Sequence, residues 1–131
     1  MIKLFKEKIY KVLIVDDERK DRILLIEKLN EISNCKFIVH QANSVKMARK
    51  FVEDLYCDII FLDFLLDDGD GLQFLTDMPI DQKEKVHTIF TTAYGNKMVE
   101  ADSMAIGADS FLKKEEIFTE KFDKVIKTAT D

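Results

Sequence analysis

"KVLIVDDERKDR", Lys11 to Arg22, sets an aliphatic run, Val12 to Val15, directly against two adjacent carboxylates, Asp16 and Asp17. A short apolar run rich in β-branched residues reads as a strand buried on both faces, the kind found inside a parallel sheet. An unpaired carboxylate is expensive to bury. The two acids therefore mark the end of the strand. They sit in solvent or cap the next helix, or they answer to something of opposite charge.

The rest of the chain repeats this unit. Phe37–Val39, Ile59–Leu62, Ile89–Phe90 and Phe111–Leu112 mark four more strand cores. Between them run segments of helical period. Ile23, Leu25, Ile26, Leu29 and Ile32 form a first apolar stripe. Val45, Ala48, Phe51, Val52 and Leu55 form a second, opened by Ser44 as a cap. Leu72, Phe74 and Leu75 give a short third helix, which Pro79 would end. Met98, Ala101, Met104 and Ala105 give a fourth, with Gly107 as the turn that releases it. Phe118, Phe122, Val125, Ile126 and Ala129 give a fifth. Strand and helix alternating five times predict an α/β domain with a parallel sheet and helices on both faces.

The composition suits one such domain. The chain has 131 residues, 47% hydrophobic and 34% charged, with no linker or low-complexity tract. Residues 1–10 read as a lead-in and residues 11–131 as the domain. No apolar run approaches the ~20 residues of a membrane span, and "MIKLFKEKIYK" lacks a signal-peptide core. A cytoplasmic protein without membrane contact is the simplest expectation. A net charge of −5 without a basic stripe gives no indication of direct nucleic-acid binding. Cys35 and Cys57 read as free thiols in apolar surroundings. The isolated His40 and His87 make a zinc site or a nucleophile–histidine pair improbable.

In an open parallel sheet, ligands bind beyond the carboxyl ends of the strands. The third strand, "DIIFLDF", carries Asp63 there; the fourth, "HTIFTTAYG", carries Thr91 and Thr92; the fifth, "DSFLKKE", carries Lys113 and Lys114. One edge thus gathers three carboxylates, a hydroxyl and an ammonium. Carboxylates ~4 Å apart repel by roughly 4 kcal/mol per pair at an effective dielectric near 20. A hard divalent cation removes that conflict, and Mg²⁺ favours carboxylates, water and phosphate oxygens. One carboxylate could then act as nucleophile toward a phosphoryl group, with the hydroxyl and the ammonium on its oxygens. "DDGDG", Asp67 to Gly71, reads as a turn entering the third helix.

Four fragments in this order match a family. "VLIVDDE", "FLDFLLDDGDGL", "FTTA" and "GADSFLKK" resemble the acidic, phosphoacceptor, switch-hydroxyl and lysine motifs of the receiver domain of two-component response regulators, over Lys11 to Thr128. The resemblance implies a doubly wound, flavodoxin-like (βα)5 fold with strand order 2-1-3-4-5. It implies that Asp63 accepts a phosphoryl group from a histidine kinase or a histidine phosphotransfer protein. Asp16, Asp17, Asp63 and the backbone carbonyl of Leu65 would hold Mg²⁺ or Mn²⁺. Thr92 and Lys114 would bind phosphoryl oxygens, and Phe111 would move with Thr92 as a switch. The fourth helix, fifth strand and fifth helix would carry the signal to a downstream protein or output domain, with dimerisation on phosphorylation left open. A kinase would dock near Ile23 and Leu24. Such a domain catalyses at most its own phosphorylation and slow dephosphorylation, and no other cofactor is implied.

This chain departs from the family pattern in several places. Asp67 and Glu115 stand where prolines are usual, and a trans Lys114–Glu115 bond is expected, because a non-proline cis bond costs ~3 kcal/mol. Leu65 and Tyr94 stand where side chains tend to set dephosphorylation rate; both are bulky, and neither can orient a water through an amide or carboxylate. Other readings stay open. A degenerate receiver would bind partners without phosphorylation. A Mg²⁺-dependent phosphohydrolase would need an acid where Leu65 stands. A flavin- or nucleotide-binding protein would need a phosphate loop where "DDERKD" stands.

Overall fold

Alternation along each strand builds this molecule. In the computed structural model, which describes residues 7–93 and 95–131, successive buried side chains of the central strands enter two different cores. The strands are β1 (Lys8–Val15), β2 (Cys35–Ala42), β3 (Ile59–Asp63), β4 (His87–Thr92) and β5 (Ser110–Lys113). They form one parallel sheet in the order β2-β1-β3-β4-β5, the doubly wound order expected. Leu13, Val15, Ile60, Leu62, Phe90 and Phe111 face α2 (Val45–Asp54), α3 (Gly71–Asp77) and α4 (Lys97–Ala105). Val12, Ile14, Ile59, Phe61, Ile89 and Leu112 face α1 (Arg19–Asn30) and α5 (Glu120–Thr130). Val12 to Val15 are all buried, because β1 lies between two neighbours and two helical layers.

The turn "DDGDG" does more than reverse the chain. Leu65–Leu66 and Gly69–Asp70 form a small antiparallel hairpin. Asp68 accepts from the backbone N–H groups of Val45 (2.7 Å) and Lys46 (3.0 Å), at the N-terminus of α2. Ser44 Oγ accepts from Met47 N–H at the same end, as expected. Asp70 caps α3 through Gln73 N–H at 2.7 Å. Gly71 then passes so close to the main chain that a Cβ there would collide with the Asp63 carbonyl. A glycine at this position lets α3 start against the end of β3.

Several expectations need correction. β1 starts at Lys8, so residues 8–10 pair with β2 instead of forming a lead-in; Met1–Lys6 lie outside the described residues. Ile32 falls beyond the end of α1, and Leu55 is the exposed C-cap of α2. Pro79 follows α3 but also opens a short helix, Ile80–Lys85, with no apolar period to announce it. Met98, Ala101, Met104 and Ala105 turn to solvent; α4 buries Ser103 and leans on Val99 and Ile106 instead. Ser103 Oγ donates to Glu100 O, so this small polar residue can lie against the sheet without an unpaired hydroxyl. Phe118 is 64% exposed at the end of a 3-10 turn, Lys114–Phe118, and Ile117 fills the core in its place. α5 starts afterwards, capped by Thr119.

Gly107 does leave α4 with a positive φ of 115°. The Lys114–Glu115 bond is trans, as expected. Cys35 and Cys57 are buried free thiols. No helix among the described residues is long and apolar enough to cross a membrane.

Candidate functional site

The sheet register brings the strand ends level. Val15 pairs with Leu62, Asp63 with Thr91, and Thr92 with Lys113. The next residue of β1 is Asp16, and the residue after β5 is Lys114. Phe64 N–H donates to Thr91 O and Gly71 N–H to Phe64 O, so the chain leaving Asp63 is held against β4 and α3.

Asp16, Asp17 and Asp63 each offer a carboxylate oxygen, and these oxygens lie within 4.8 Å of one another. Asp16 and Asp63 are buried, while Asp17 is half-buried. The ammonium of Lys114 meets two of these acids and a further one. Lys114 Nζ lies 3.0 Å from Asp16, 3.1 Å from Asp63 and 2.8 Å from Asp21. Asp16 Oδ1 accepts from Glu18 N–H at 2.9 Å, whereas Oδ2 is shielded from solvent and has the Lys114 ion pair without an aligned hydrogen bond.

Among the described residues, the carboxylates around Lys114 outnumber it, which leaves negative charge uncompensated. Burial, then the neighbouring Asp16, pushes the Asp63 carboxyl up to about 6, against the opposing pull of Lys114. Burial, then contact with the Asp67 carboxyl and the charge of Asp16, pushes Asp17 up as well. Burial works against the charged form of Lys114, but Asp21, Asp16 and Asp63 more than offset it and hold the ammonium protonated. The donor set fits a hard divalent cation: oxygen-only ligands, a surplus of negative charge, and an Asp16 oxygen short of hydrogen bonds.

The other expected residues divide. Lys114 stands among the acids, whereas Lys113 runs past Gly95, where a Cβ would meet its Cγ at 3.0 Å. Thr92 is buried at the end of β4, one residue beyond the partner of Asp63. Its neighbour Thr91 lines the small cleft bounded by Asp16, Asp21 and Lys114. Phe111 is only 5% exposed; its ring stacks on Phe90 at a centroid distance of 6.3 Å and lies against Gly95. Leu65 projects outward, 53% exposed, and Tyr94 lies outside the described residues. Sequence reasoning missed Asp21 and Gly71. The signal for Asp21 was an acid in the first turn of α1, close after the Asp16–Asp17 pair. Gly71 read only as part of a turn.

The chain matches a known family. A family profile described as the response regulator receiver domain matches residues 12–126. The chain is 34% identical to protein-glutamate methylesterase/protein-glutamine glutaminase 1 of Hahella chejuensis over 93% of its own length, but spans only 36% of that protein. It is also 34% identical to sporulation initiation phosphotransferase F of Bacillus subtilis, over 75% of this chain and 76% of that one. The receiver domain of the Francisella response regulator 1452 superposes with a TM-score of 0.77 at 22% identity, covering 92% of this chain and 97% of that one.

Proposed function

Because the chain belongs to the response regulator receiver domain family, we propose that Asp63 is its phosphoacceptor, charged by a phosphohistidine on a histidine kinase or phosphotransfer protein. The supporting observation is the convergence of Asp16, Asp17, Asp63 and Lys114 at the carboxyl end of the sheet. In the transfer, an Asp63 carboxylate oxygen forms a bond to phosphorus while the phosphorus–nitrogen bond of the donor breaks. The bonding pair returns to the imidazole. A carboxyl with a pKa of about 6 is mostly ionised at neutral pH, so the nucleophile is available.

Asp16, Asp17, Asp63 and the Leu65 carbonyl would hold a divalent cation, Mg²⁺ or Mn²⁺, which when bound would neutralise charge on the phosphoryl oxygens. Lys114 would meet a phosphoryl oxygen directly, with Thr92 as the hydroxyl at the neighbouring strand end. Phe111, packed inward against Gly95, would be the ring that moves with Thr92, and α4, β5 and α5 the surface that carries the change.

Asp67 favours a second reading. This extra acid contacts Asp17 where the family usually has proline, and could disfavour a phosphoryl group enough to leave a phosphorylation-independent binding module. Intact mass after incubation with acetyl phosphate and Mg²⁺ separates the two. One added phosphoryl mass, lost without Mg²⁺ and in Asp63→Ala, is the expected result. No gain from acetyl phosphate or from phosphohistidine donors would put the binding-module reading ahead.

A further inference from the structure

Lys114 makes its shortest ion pair with a residue outside the triad of acids. Asp21 Oδ2 lies 2.8 Å from Nζ, against 3.0 Å for Asp16 and 3.1 Å for Asp63. An ammonium carries three protons and no acceptor. Three carboxylates already surround it, so an incoming phosphoryl oxygen shares the ammonium with whichever of them stays. Asp16 and Asp63 have another role, since both belong to the set that fits a divalent cation. Asp21 does not. Its aspartyl side chain is held at the start of α1, where the helix N-terminus favours negative charge. It also lines the same cleft as Lys114 and Asp16. With a third of its side-chain surface exposed, Asp21 can turn to water when Lys114 is drawn away.

We propose that Asp21 is a counter-ion that competes with the phosphoryl group for the Lys114 ammonium, and so limits how readily this site holds its modified state. The proposal rests on Asp63 being the phosphoacceptor. In the resting site Asp21 keeps Lys114 occupied. In the modified site its carboxylate lies near phosphoryl oxygens of the same sign. Asp21 is thus a positioning residue whose effect is inhibitory. If Asp21 only steadied Lys114 for its task, removing it would have the opposite effect.

Beryllofluoride, which occupies a carboxylate as a phosphoryl group would, separates these outcomes. Its affinity for the full chain would be measured by ¹⁹F NMR at saturating Mg²⁺, for the unmodified sequence, Asp21→Asn and Asp21→Glu. Asp21→Asn is expected to bind about fivefold more tightly, the effect of losing one partly exposed charge pair. Asp21→Glu keeps the charge and should stay within about twofold of the unmodified sequence. Steady-state phosphorylation by acetyl phosphate should rise in Asp21→Asn alone. Equal or weaker binding by Asp21→Asn would overturn the proposal, as would equal tightening by both variants, which would point to shape instead of charge. If the unmodified sequence neither binds beryllofluoride nor gains phosphoryl mass, the phosphoacceptor reading fails and this proposal fails with it.

Discussion

Asp63 is held between a buried strand end, a second carboxylate and a shared ammonium, and burial together with Asp16 outweighs Lys114. Its folded pKa of about 6 exceeds the usual carboxylate value, so the folded protein binds the extra proton more tightly than the unfolded chain does. This contribution to stability is fully present below pH ~4 and is lost as pH rises through about 6. Removing the charge should therefore stabilise the metal-free protein. Asp63→Asn is expected to gain about 2 kcal/mol at pH 7.5 in chelator, and almost nothing near pH ~4. Thermal or urea unfolding at the two pH values checks this, and equal gains at both would contradict it. Leu65, two residues on, is an exposed aliphatic side chain with no group to orient an attacking water. The acyl phosphate should be long-lived as a result. Leu65→Asn should shorten its life by about tenfold, less than the roughly hundredfold or more of a fully positioned general base. A half-life of seconds in the unsubstituted domain would count against this.

At the scale of elements, loop acids hold helix starts in place. Asp68 satisfies two N–H groups of α2 from a loop more than twenty residues away, and these backbone bonds hold its carboxyl below the ordinary range. Asp68→Ala should cost about 1 kcal/mol, as for other lost caps. The loss should be seen at neutral pH and should fade as pH falls through the lowered pKa of Asp68, where the unsubstituted protein forfeits the same interaction. Gly71 joins an element boundary to the site. Alanine there would drive a methyl into the Asp63 carbonyl, so Gly71→Ala should destabilise the fold by at least about 1 kcal/mol. It should also weaken phosphorylation, because Asp63 itself must shift. Normal phosphorylation in a folded Gly71→Ala protein would refute the second part. The fourth-helix stripe shows why period alone misled. Met98 and Met104 carry the apolar signal, yet the helix meets the sheet through Ser103, whose hydroxyl is satisfied within its own turn. A serine paired in this way leaves no trace in an apolar pattern.

For the whole molecule, the gathered charge predicts a stability that depends on cations. A ligand that binds only the folded state stabilises it by mass action: Mg²⁺ at ten times its dissociation constant should add about 1.4 kcal/mol. Since Asp63 must be ionised to hold the cation, the gain should shrink below pH ~6. Melting curves with and without MgCl₂ at pH 5 and 7.5 test this, with Asp17→Asn as the variant that should lose most of the shift. A shift of equal size at both pH values would show that Mg²⁺ acts elsewhere.

Much of this architecture is local in origin, and so it could be read from the chain. Runs such as Val12–Val15 and Ile59–Leu62 can bury both faces only in a central parallel strand, and the helical segments between them supply the covering layers. The strand-end positions of Asp16, Asp17, Asp63 and Lys114 follow from where those runs stop. Tertiary structure alone decided which groups share the ammonium, which acids cap helices, and which side chains of α4 meet the sheet. Asp21 and Lys114 are 93 residues apart in sequence, and Asp68 reaches α2 from the turn of a hairpin. Sequence pattern records periodicity within a segment, whereas ion pairs and caps depend on distances between segments, and those exist only once the sheet has aligned its strand ends.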